Sequence, residues 1–242
     1  MYYIDRKGYK LENEDKFSEY VDKGACGEIY RYGDTILKKY YLSTEHFIRI
    51  KKDIFDFLKD TDYSCFIKLY NAYMKTDYDI KSKLWFRITN HNKFVIDAYT
   101  AKYYEKTDID PVFISKEYLL ESFYKIESFF NYLSKNKIKV YDIKRGNVVF
   151  TDDGIVLVDP DLYEFLHEYS VERTLINNKI SLNYLFKSIL INNCNTTYEC
   201  DKLDRFYADN FNPNNVTSKT EVTSNISKVL KNVKKPIEII RR

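Results

Sequence analysis

Apolar and polar residues alternate along the first part of the chain in the manner of β-strands. Residues 17–41 follow this pattern around a turn that contains Gly33, and together they predict a β-hairpin. Shorter runs at 66–74, 84–89 and 94–99 predict three more strands. The N-terminal part of the chain is therefore expected to form an antiparallel sheet.

Helical spacing of apolar residues marks three longer segments. These predicted helices cover residues 43–59, 115–135 and 180–191. Asp53 lies among the apolar positions of the first helix, so its side chain is expected to face inward. Residues 162–169 are considered as a further short helix, and residues 209–227, which are rich in Asn, Ser and Thr, are predicted to form a loop.

Composition and charge narrow the range of functions. A chain of 242 residues can form one large domain or two lobes. The net charge of +3 is too small to indicate nucleic-acid binding by itself. The four cysteines show no paired spacing, which argues against a zinc site or a disulfide framework and favours a reduced, cytoplasmic setting. No apolar run approaches the ~18 residues of a membrane-spanning helix, so no transmembrane segment is expected.

The segment 142–161 contains the residue types that phosphoryl transfer requires. Asp142 and Lys144 stand in a short loop, Asn147 follows, and Asp159 comes after two apolar runs separated by a glycine turn. A carboxylate can orient an acceptor hydroxyl, while an amide and a second carboxylate can hold Mg²⁺ on the phosphates. A turn-forming aspartate is the structural alternative for Asp142.

This order of residues resembles the catalytic and metal-binding loops of the protein kinase superfamily. Upstream, residues 21–31 resemble a kinase glycine-rich loop, and Lys38 matches the phosphate-pairing lysine of the third strand. The residues matched to the centre of the glycine-rich loop are Gly24, Ala25, Cys26 and Gly27. The motifs extend over roughly residues 20–165, and their order makes the resemblance more specific than any one of them alone.

The resemblance implies an α+β, bilobal fold. Its N-terminal lobe, at 1–99, would consist of an antiparallel sheet and one helix, and its C-terminal lobe, at 100–242, would be mostly helical. ATP and Mg²⁺ are then expected between the lobes. The implied roles are catalysis for Asp142 and Lys144, metal binding for Asn147 and Asp159, and nucleotide binding for the glycine-rich loop and Lys38. Asp53 is expected to pair with Lys38, and Asp97 to Tyr99 are expected to form the hinge beside the adenine.

The implied activity is phosphotransfer from ATP to a serine or threonine of a protein substrate. A small-molecule kinase of the aminoglycoside or choline type is the first alternative, and a pseudokinase that serves as a binding module is the second. Val140 and Tyr141 replace the usual His-Arg pair before Asp142, which implies that a phosphorylated activation loop does not switch the enzyme.

The C-terminal segment 226–242 carries six basic residues and one glutamate. Such a segment could bind an acidic partner. Apolar residues at helical spacing support a different interpretation, in which the segment packs on the second lobe as an amphipathic helix. The sequence leaves both interpretations open.

Overall fold

The computed structural model describes residues 16–41, 44, 48–73, 96–105, 112–191, 215–232 and 237–239. The fold is α+β, as predicted, with a five-stranded antiparallel sheet and four α-helices among these residues. Internal contacts divide the chain into two units. We call residues 1–62 with 67–104 the N-terminal unit, and residues 63–66 with 105–242 the C-terminal unit.

The sheet of the N-terminal unit has the strand order β1-β2-β3-β5-β4, and every neighbouring pair is antiparallel. Its strands are β1 Glu19–Lys23, β2 Gly27–Tyr32, β3 Thr35–Tyr40, β4 Leu69–Tyr73 and β5 Ala98–Lys102. The predicted hairpin is confirmed, and Gly33 takes a φ of 56° in its turn, where glycine is the least strained residue. The predicted strand at 84–89 lies outside the described residues. Strand β5 continues to Lys102, so the division predicted after residue 99 falls within that strand.

Helix α1 spans Lys52–Lys59. Of the other residues in the helix predicted at 43–59, the described residues 44 and 48–51 are not α-helical, and residues 43 and 45–47 lie outside the described residues. Ile50 has other hydrogen-bond partners that hold its backbone outside a helix. Its N–H donates to the Tyr40 hydroxyl at 3.3 Å, and its carbonyl accepts the Ile96 N–H at 3.2 Å. Lys51 is extended, with a ψ of 146°. These tertiary contacts outweigh the helical spacing of the sequence.

The orientation predicted for Asp53 is wrong, because its side chain is exposed. Ile54, Phe55 and Leu58 form the buried face of α1. With about 100° of rotation per residue, Asp53 lies roughly 150° from the centre of that face. Its Oδ1 accepts the N–H of Ile54 at 2.8 Å instead.

Three helices and three two-stranded sheets make up the described part of the C-terminal unit. The helices are α2 Lys116–Lys135, α3 Val171–Ile191 and α4 Val222–Asn232. The strand pairs are β6 Val112–Ile114 with β11 Ile237–Ile239, β7 Ile138–Lys139 with β10 Glu164–Phe165, and β8 Val148–Thr151 with β9 Gly154–Leu157. The helix predicted at 115–135 is confirmed, and the Ser115 hydroxyl caps it by accepting the Tyr118 N–H at 3.0 Å. Helix α3 begins well before the predicted residue 180.

Residues 162–169 contain a turn and strand β10 rather than the predicted helix, because β10 pairs with β7. The loop predicted at 209–227 is confirmed at the described residues 215–221, which contain no α-helix or strand, and is wrong from Val222, where α4 begins. Residues 209–214 lie outside the described residues. Ile226, Val229 and Leu230 are buried, which supports the packed amphipathic helix among the two interpretations of the basic segment.

Aromatic side chains fill the core of the C-terminal unit. Phe123 of α2 meets Phe186 of α3 edge-on at 5.4 Å between ring centres, and Phe66 lies 5.0 Å from Phe129. Burial raises the pKa of the neighbouring Cys65 thiol to about 12, so this cysteine is an inert core residue. None of the helices described here is both long and apolar enough to cross a membrane.

Candidate active site

Helix α3 holds the backbone that leads into the Asp142 loop. Asn178 is fully buried on this helix, and its Oδ1 accepts the Val140 N–H at 2.9 Å. Its Nδ2 donates to the Ile138 carbonyl at 2.8 Å and to the Ser134 hydroxyl at 2.9 Å. Every polar atom of the Asn178 side chain is therefore used to fix this stretch, as a buried amide requires.

Two serines of α3 fix the loop on either side of Asp142. Ser181 Oγ donates to the Val140 carbonyl at 3.0 Å, and Ser188 Oγ accepts the Arg145 N–H at 3.1 Å. Sequence reasoning missed Asn178, Ser181 and Ser188. The signal that could have found them is the presence of polar residues in an apolar helix, because a buried polar side chain needs a partner.

Asp142, Lys144 and Asn147 form one hydrogen-bonded cluster. Lys144 Nζ donates to both carboxylate oxygens of Asp142, at 2.9 and 2.8 Å. Asn147 Nδ2 donates to the Asp142 carbonyl at 2.7 Å and to its Oδ2 at 3.3 Å. The Asp142 side chain remains 43% exposed, so an acceptor hydroxyl can approach its carboxylate.

Pairing of β8 with β9 places Asp159 at the same end of the hairpin as Asn147. Val148 lies opposite Leu157, and the next residue, Val158, donates its N–H to the Asn147 carbonyl at 3.0 Å. Asp159 directly follows Val158 and is half-buried. The register of this hairpin thus brings together the two predicted metal-binding residues.

The donor set of these two residues fits Mg²⁺. The Asn147 amide nitrogen bonds to Asp142, which leaves its Oδ1 oxygen as the atom available to a cation. Oxygen ligands from one or two side chains are typical of Mg²⁺ that also binds phosphates. Among the described residues, no group of three or more His, Cys, Asp and Glu side chains could hold a metal ion. A metal ion at Asn147 and Asp159 would therefore need further ligands, such as phosphate oxygens.

The glycine-rich loop joins β1 to β2 in the N-terminal unit. Gly24 N–H donates to the Gly27 carbonyl at 2.9 Å and closes the turn, while Ala25 at its tip is exposed. The carbonyl of half-buried Cys26 accepts the Tyr41 N–H at 3.0 Å and the Thr44 hydroxyl at 2.7 Å. The loop is thus tied to the chain that follows β3.

Gly27 is required by packing within the sheet. A Cβ at this position would lie 2.3 Å from the Lys39 carbonyl oxygen, well inside contact distance. A Cβ at Gly24 would meet only the Gly27 carbonyl oxygen, at 3.8 Å. Contact with β3 therefore requires a glycine at position 27, whereas no such contact requires one at position 24.

Alanine substitutions at these glycines are expected to have unequal effects on stability. Gly27→Ala forces β2 away from β3 and should lower the free energy of unfolding by about 1–2 kcal/mol. Gly24→Ala is the matched control and should change it by less than ~0.5 kcal/mol. Urea unfolding without nucleotide measures both, and equal losses would show that β2 and β3 do not approach so closely.

Lys38 lies on the face of the sheet that α1 covers. Its register places it beside Tyr99, whose ring centre is 6.1 Å from that of Phe55 in α1. Lys38 is 8% exposed, and its Nζ lies 5.3 Å from the centre of the Tyr40 ring. The next residue of β3, Lys39, is partly exposed, so Lys38 is the buried lysine of this strand.

The residues predicted to form the hinge, Asp97 to Tyr99, lie at the start of β5, where the backbone groups of Asp97 and Tyr99 take part in the hydrogen bonding of the sheet. The Asp97 N–H donates to the Tyr73 carbonyl at 2.8 Å, and its carbonyl accepts the Tyr40 N–H at 3.0 Å. Tyr99 pairs with both neighbouring strands and is 1% exposed. Their backbone groups are therefore not free to bind adenine.

The side chain of Asp97 has a structural partner in Arg49. Arg49 Nη1 donates to Asp97 Oδ1 at 2.6 Å, and both side chains are almost fully buried. Arg49 also donates to the carbonyls of Thr44, at 3.1 Å, and Tyr41, at 2.9 Å. This buried ion pair joins the segment before α1 to the start of β5.

Similarity to characterised proteins does not bear on this site. A scan against models of protein families gives no match, and a search of curated proteins finds no similar sequence. The functional interpretation therefore depends on the residues of the Asp142 cluster and on their geometry.

Proposed function

We propose that this chain is an ATP- and Mg²⁺-dependent phosphotransferase with a bilobal, protein kinase-like fold, acting on serine or threonine in proteins. The N-terminal unit supports the fold proposal with five antiparallel strands, one helix and a buried lysine on β3. The C-terminal unit supports it with the hairpin β8–β9, which follows directly on the Asp142 loop.

The Asp142 cluster is the observation that carries this proposal. A base, a cation and two oxygen ligands occupy the loop and the hairpin end in the order that phosphoryl transfer uses. Asp142 would accept the proton of the acceptor hydroxyl, and its exposed carboxylate permits this. Lys144 is close enough to stabilise negative charge near that carboxylate.

Other residues are proposed to bind the nucleotide and the metal ion. Asn147 and Asp159 would hold Mg²⁺ through their side-chain oxygens, and Lys38 and the glycine-rich loop would contact phosphates. Bound Mg-ATP would supply the phosphoryl group. The pairing of Lys38 with Asp53 is not part of the proposal, because Asp53 is exposed on the far side of α1.

Thermal unfolding with and without Mg-ATP tests the nucleotide-binding part of this proposal. A ligand that binds only the native state stabilises it by about 2.7 kcal/mol when its free concentration is about 100 times its dissociation constant. The melting temperature should therefore rise. Asp159→Asn should lose most of this rise, since it removes a charged metal ligand. Asp153→Asn, in the exposed turn of the same hairpin, is the matched control and should retain it. An unchanged melting temperature in the wild type would contradict the proposal.

A small-molecule kinase is the second candidate, and one observation favours it. Only residues 160–170 separate Asp159 from α3, which leaves a short stretch of chain to recognise a protein. Presenting generic protein acceptors and amino-alcohol or aminoglycoside acceptors to the same preparation distinguishes the two candidates. Binding of Mg-ATP without transfer to any acceptor would instead favour a pseudokinase.

A further inference from the structure

We infer that residues 160–170 form a permanently docked strap, and that the candidate site is therefore assembled without phosphorylation. This inference rests on the proposed function and concerns the regulation of that same site. The strap connects Asp159 to the first residue of α3, the helix that holds the Asp142 loop. The conformation of the strap therefore helps to set the position of the Asp159 carboxylate relative to the Asp142 loop.

Backbone hydrogen bonds hold the strap along its length. The Tyr163 N–H donates to the Pro160 carbonyl at 3.1 Å and closes a turn directly after Asp159. Strand β10 then pairs with β7, the strand just before the Asp142 loop. Beyond the strand, the Leu166 N–H donates to the Lys137 carbonyl at 2.8 Å, and the Tyr169 N–H donates to the Leu166 carbonyl at 3.0 Å.

Lys137 provides the docking point at the end of α2. It has a φ of 58°, a left-handed conformation that ends the helix and that few residues other than glycine adopt readily. Its N–H donates to the Ser134 carbonyl at 2.9 Å, and its Nζ donates to the His167 carbonyl at 3.4 Å. The end of α2 therefore binds the strap through both backbone and side chain.

Buried side chains anchor the strap next to Asp159. Tyr163 is 1% exposed, and its ring lies 6.0 Å from that of Phe66 in the core of the C-terminal unit. Asp161 is 7% exposed. Pulling this part of the strap away would expose an aromatic ring that contributes about 1.5–3 kcal/mol when buried, so the docked state is strongly favoured.

The hydroxyl groups of the strap already lie in structured surroundings. Its hydroxyl-bearing residues are Tyr163, Tyr169 and Ser170. Tyr163 is buried, and the Arg173 guanidinium lies 4.2 Å from the centre of the Tyr169 ring. Ser170 begins α3, because its Oγ accepts the Arg173 N–H at 3.1 Å and its carbonyl accepts the Thr174 N–H at 3.0 Å.

Phosphorylation orders a loop by giving it new arginine partners. The strap is already ordered by backbone pairing with the end of α2 and with β7. The Arg173 guanidinium already lies over the Tyr169 ring. Because these contacts exist in the unmodified chain, the site does not depend on modification of the strap.

Hydrogen exchange on phosphatase-treated protein without nucleotide tests the docked state directly. The amides of Tyr163, Leu166 and Tyr169 should exchange at least about 100-fold more slowly than those of the exposed turn at 152–153. Exchange at the rate of that turn would overturn the inference. This measurement does not require catalysis, so its outcome is separate from that of the proposed function.

Transfer rates test the regulatory consequence. We expect phosphatase-treated wild type and the double variant Tyr169→Phe/Ser170→Asn to transfer phosphate within about twofold of untreated protein. Phenylalanine keeps the ring beside Arg173, and asparagine keeps the helix cap, so this variant removes only the accessible hydroxyls. A greater loss in the treated protein that is restored by preincubation with Mg-ATP would overturn the inference. Absence of transfer in every form would overturn the proposed function, and the regulatory consequence with it.

Discussion

Replacing Asp142 by asparagine should lower the rate of phosphoryl transfer by about 10²–10⁴-fold, the contribution typical of a general base. Asparagine removes the proton acceptor but retains an oxygen that can accept the hydrogen bond from Asn147. Binding of Mg-ATP should change by less than about threefold, because Asp142 is not among the proposed metal ligands. Steady-state kinetics together with equilibrium nucleotide binding separate these two effects.

The backbone at Asp142 determines which substitution is informative. Its φ of 52° lies in the left-handed region, which asparagine tolerates and most other residues do not. Asp142→Ala would add backbone strain to the loss of the carboxylate and confuse the result. Asp152→Asn, in an exposed turn of the same unit, is the control and should keep full activity. Full activity in Asp142→Asn would remove this residue from the catalytic role.

The second large effect is expected at Glu127, which caps helix α4 from a neighbouring helix. Its Oε1 accepts the Val222 N–H at 2.9 Å, and its Oε2 accepts the Thr223 N–H at 3.0 Å and the Thr223 hydroxyl at 2.7 Å. Glu127 is 8% exposed. Glu127→Gln should lower the free energy of unfolding by about 2–4 kcal/mol. The NH₂ group of glutamine would replace one accepting oxygen, so it would face a buried N–H donor of α4 that then has no acceptor.

Urea unfolding of Glu127→Gln beside Glu121→Gln measures this effect. Glu121 lies on the same helix with its side chain 72% exposed and forms only a surface ion pair with Lys125, so its substitution should cost less than about 0.5 kcal/mol. Amide exchange in the first turn of α4 should also accelerate in the Glu127 variant alone. Equal stability of the two variants would show that Glu127 does not hold α4.

The clustering of the candidate site residues could be predicted from sequence because they are close together in the chain. Asp142, Lys144 and Asn147 lie within one loop. Two apolar runs separated by a glycine predict the β8–β9 hairpin that precedes Asp159. Local spacing of this kind survives folding, so the cluster could be predicted. Helix α2 was predictable for the same reason, since its apolar stripe and its serine cap are local signals.

What the sequence could not reveal depends on partners far along the chain. Asp97 was predicted to lie at a hinge, but it pairs with Arg49, which lies 48 positions away in sequence. Helix α1 starts late because Ile50 bonds to Tyr40 and Ile96 instead. Asn178 lies outside the helix predicted at 180–191, and its role depends on the Val140 backbone, which is 38 positions away in sequence. In each case a tertiary hydrogen bond overrides a local pattern.

The central claim is that this chain transfers phosphate from ATP, and labelled Mg-ATP tests it most directly. Purified wild type and Asp159→Ala should be incubated with γ-labelled Mg-ATP, alone and with a generic protein acceptor. Label on protein in the wild-type reaction and none in the Asp159→Ala reaction is the predicted result. Wild type that transfers no label to any acceptor, or label that persists unchanged in Asp159→Ala, would contradict the claim.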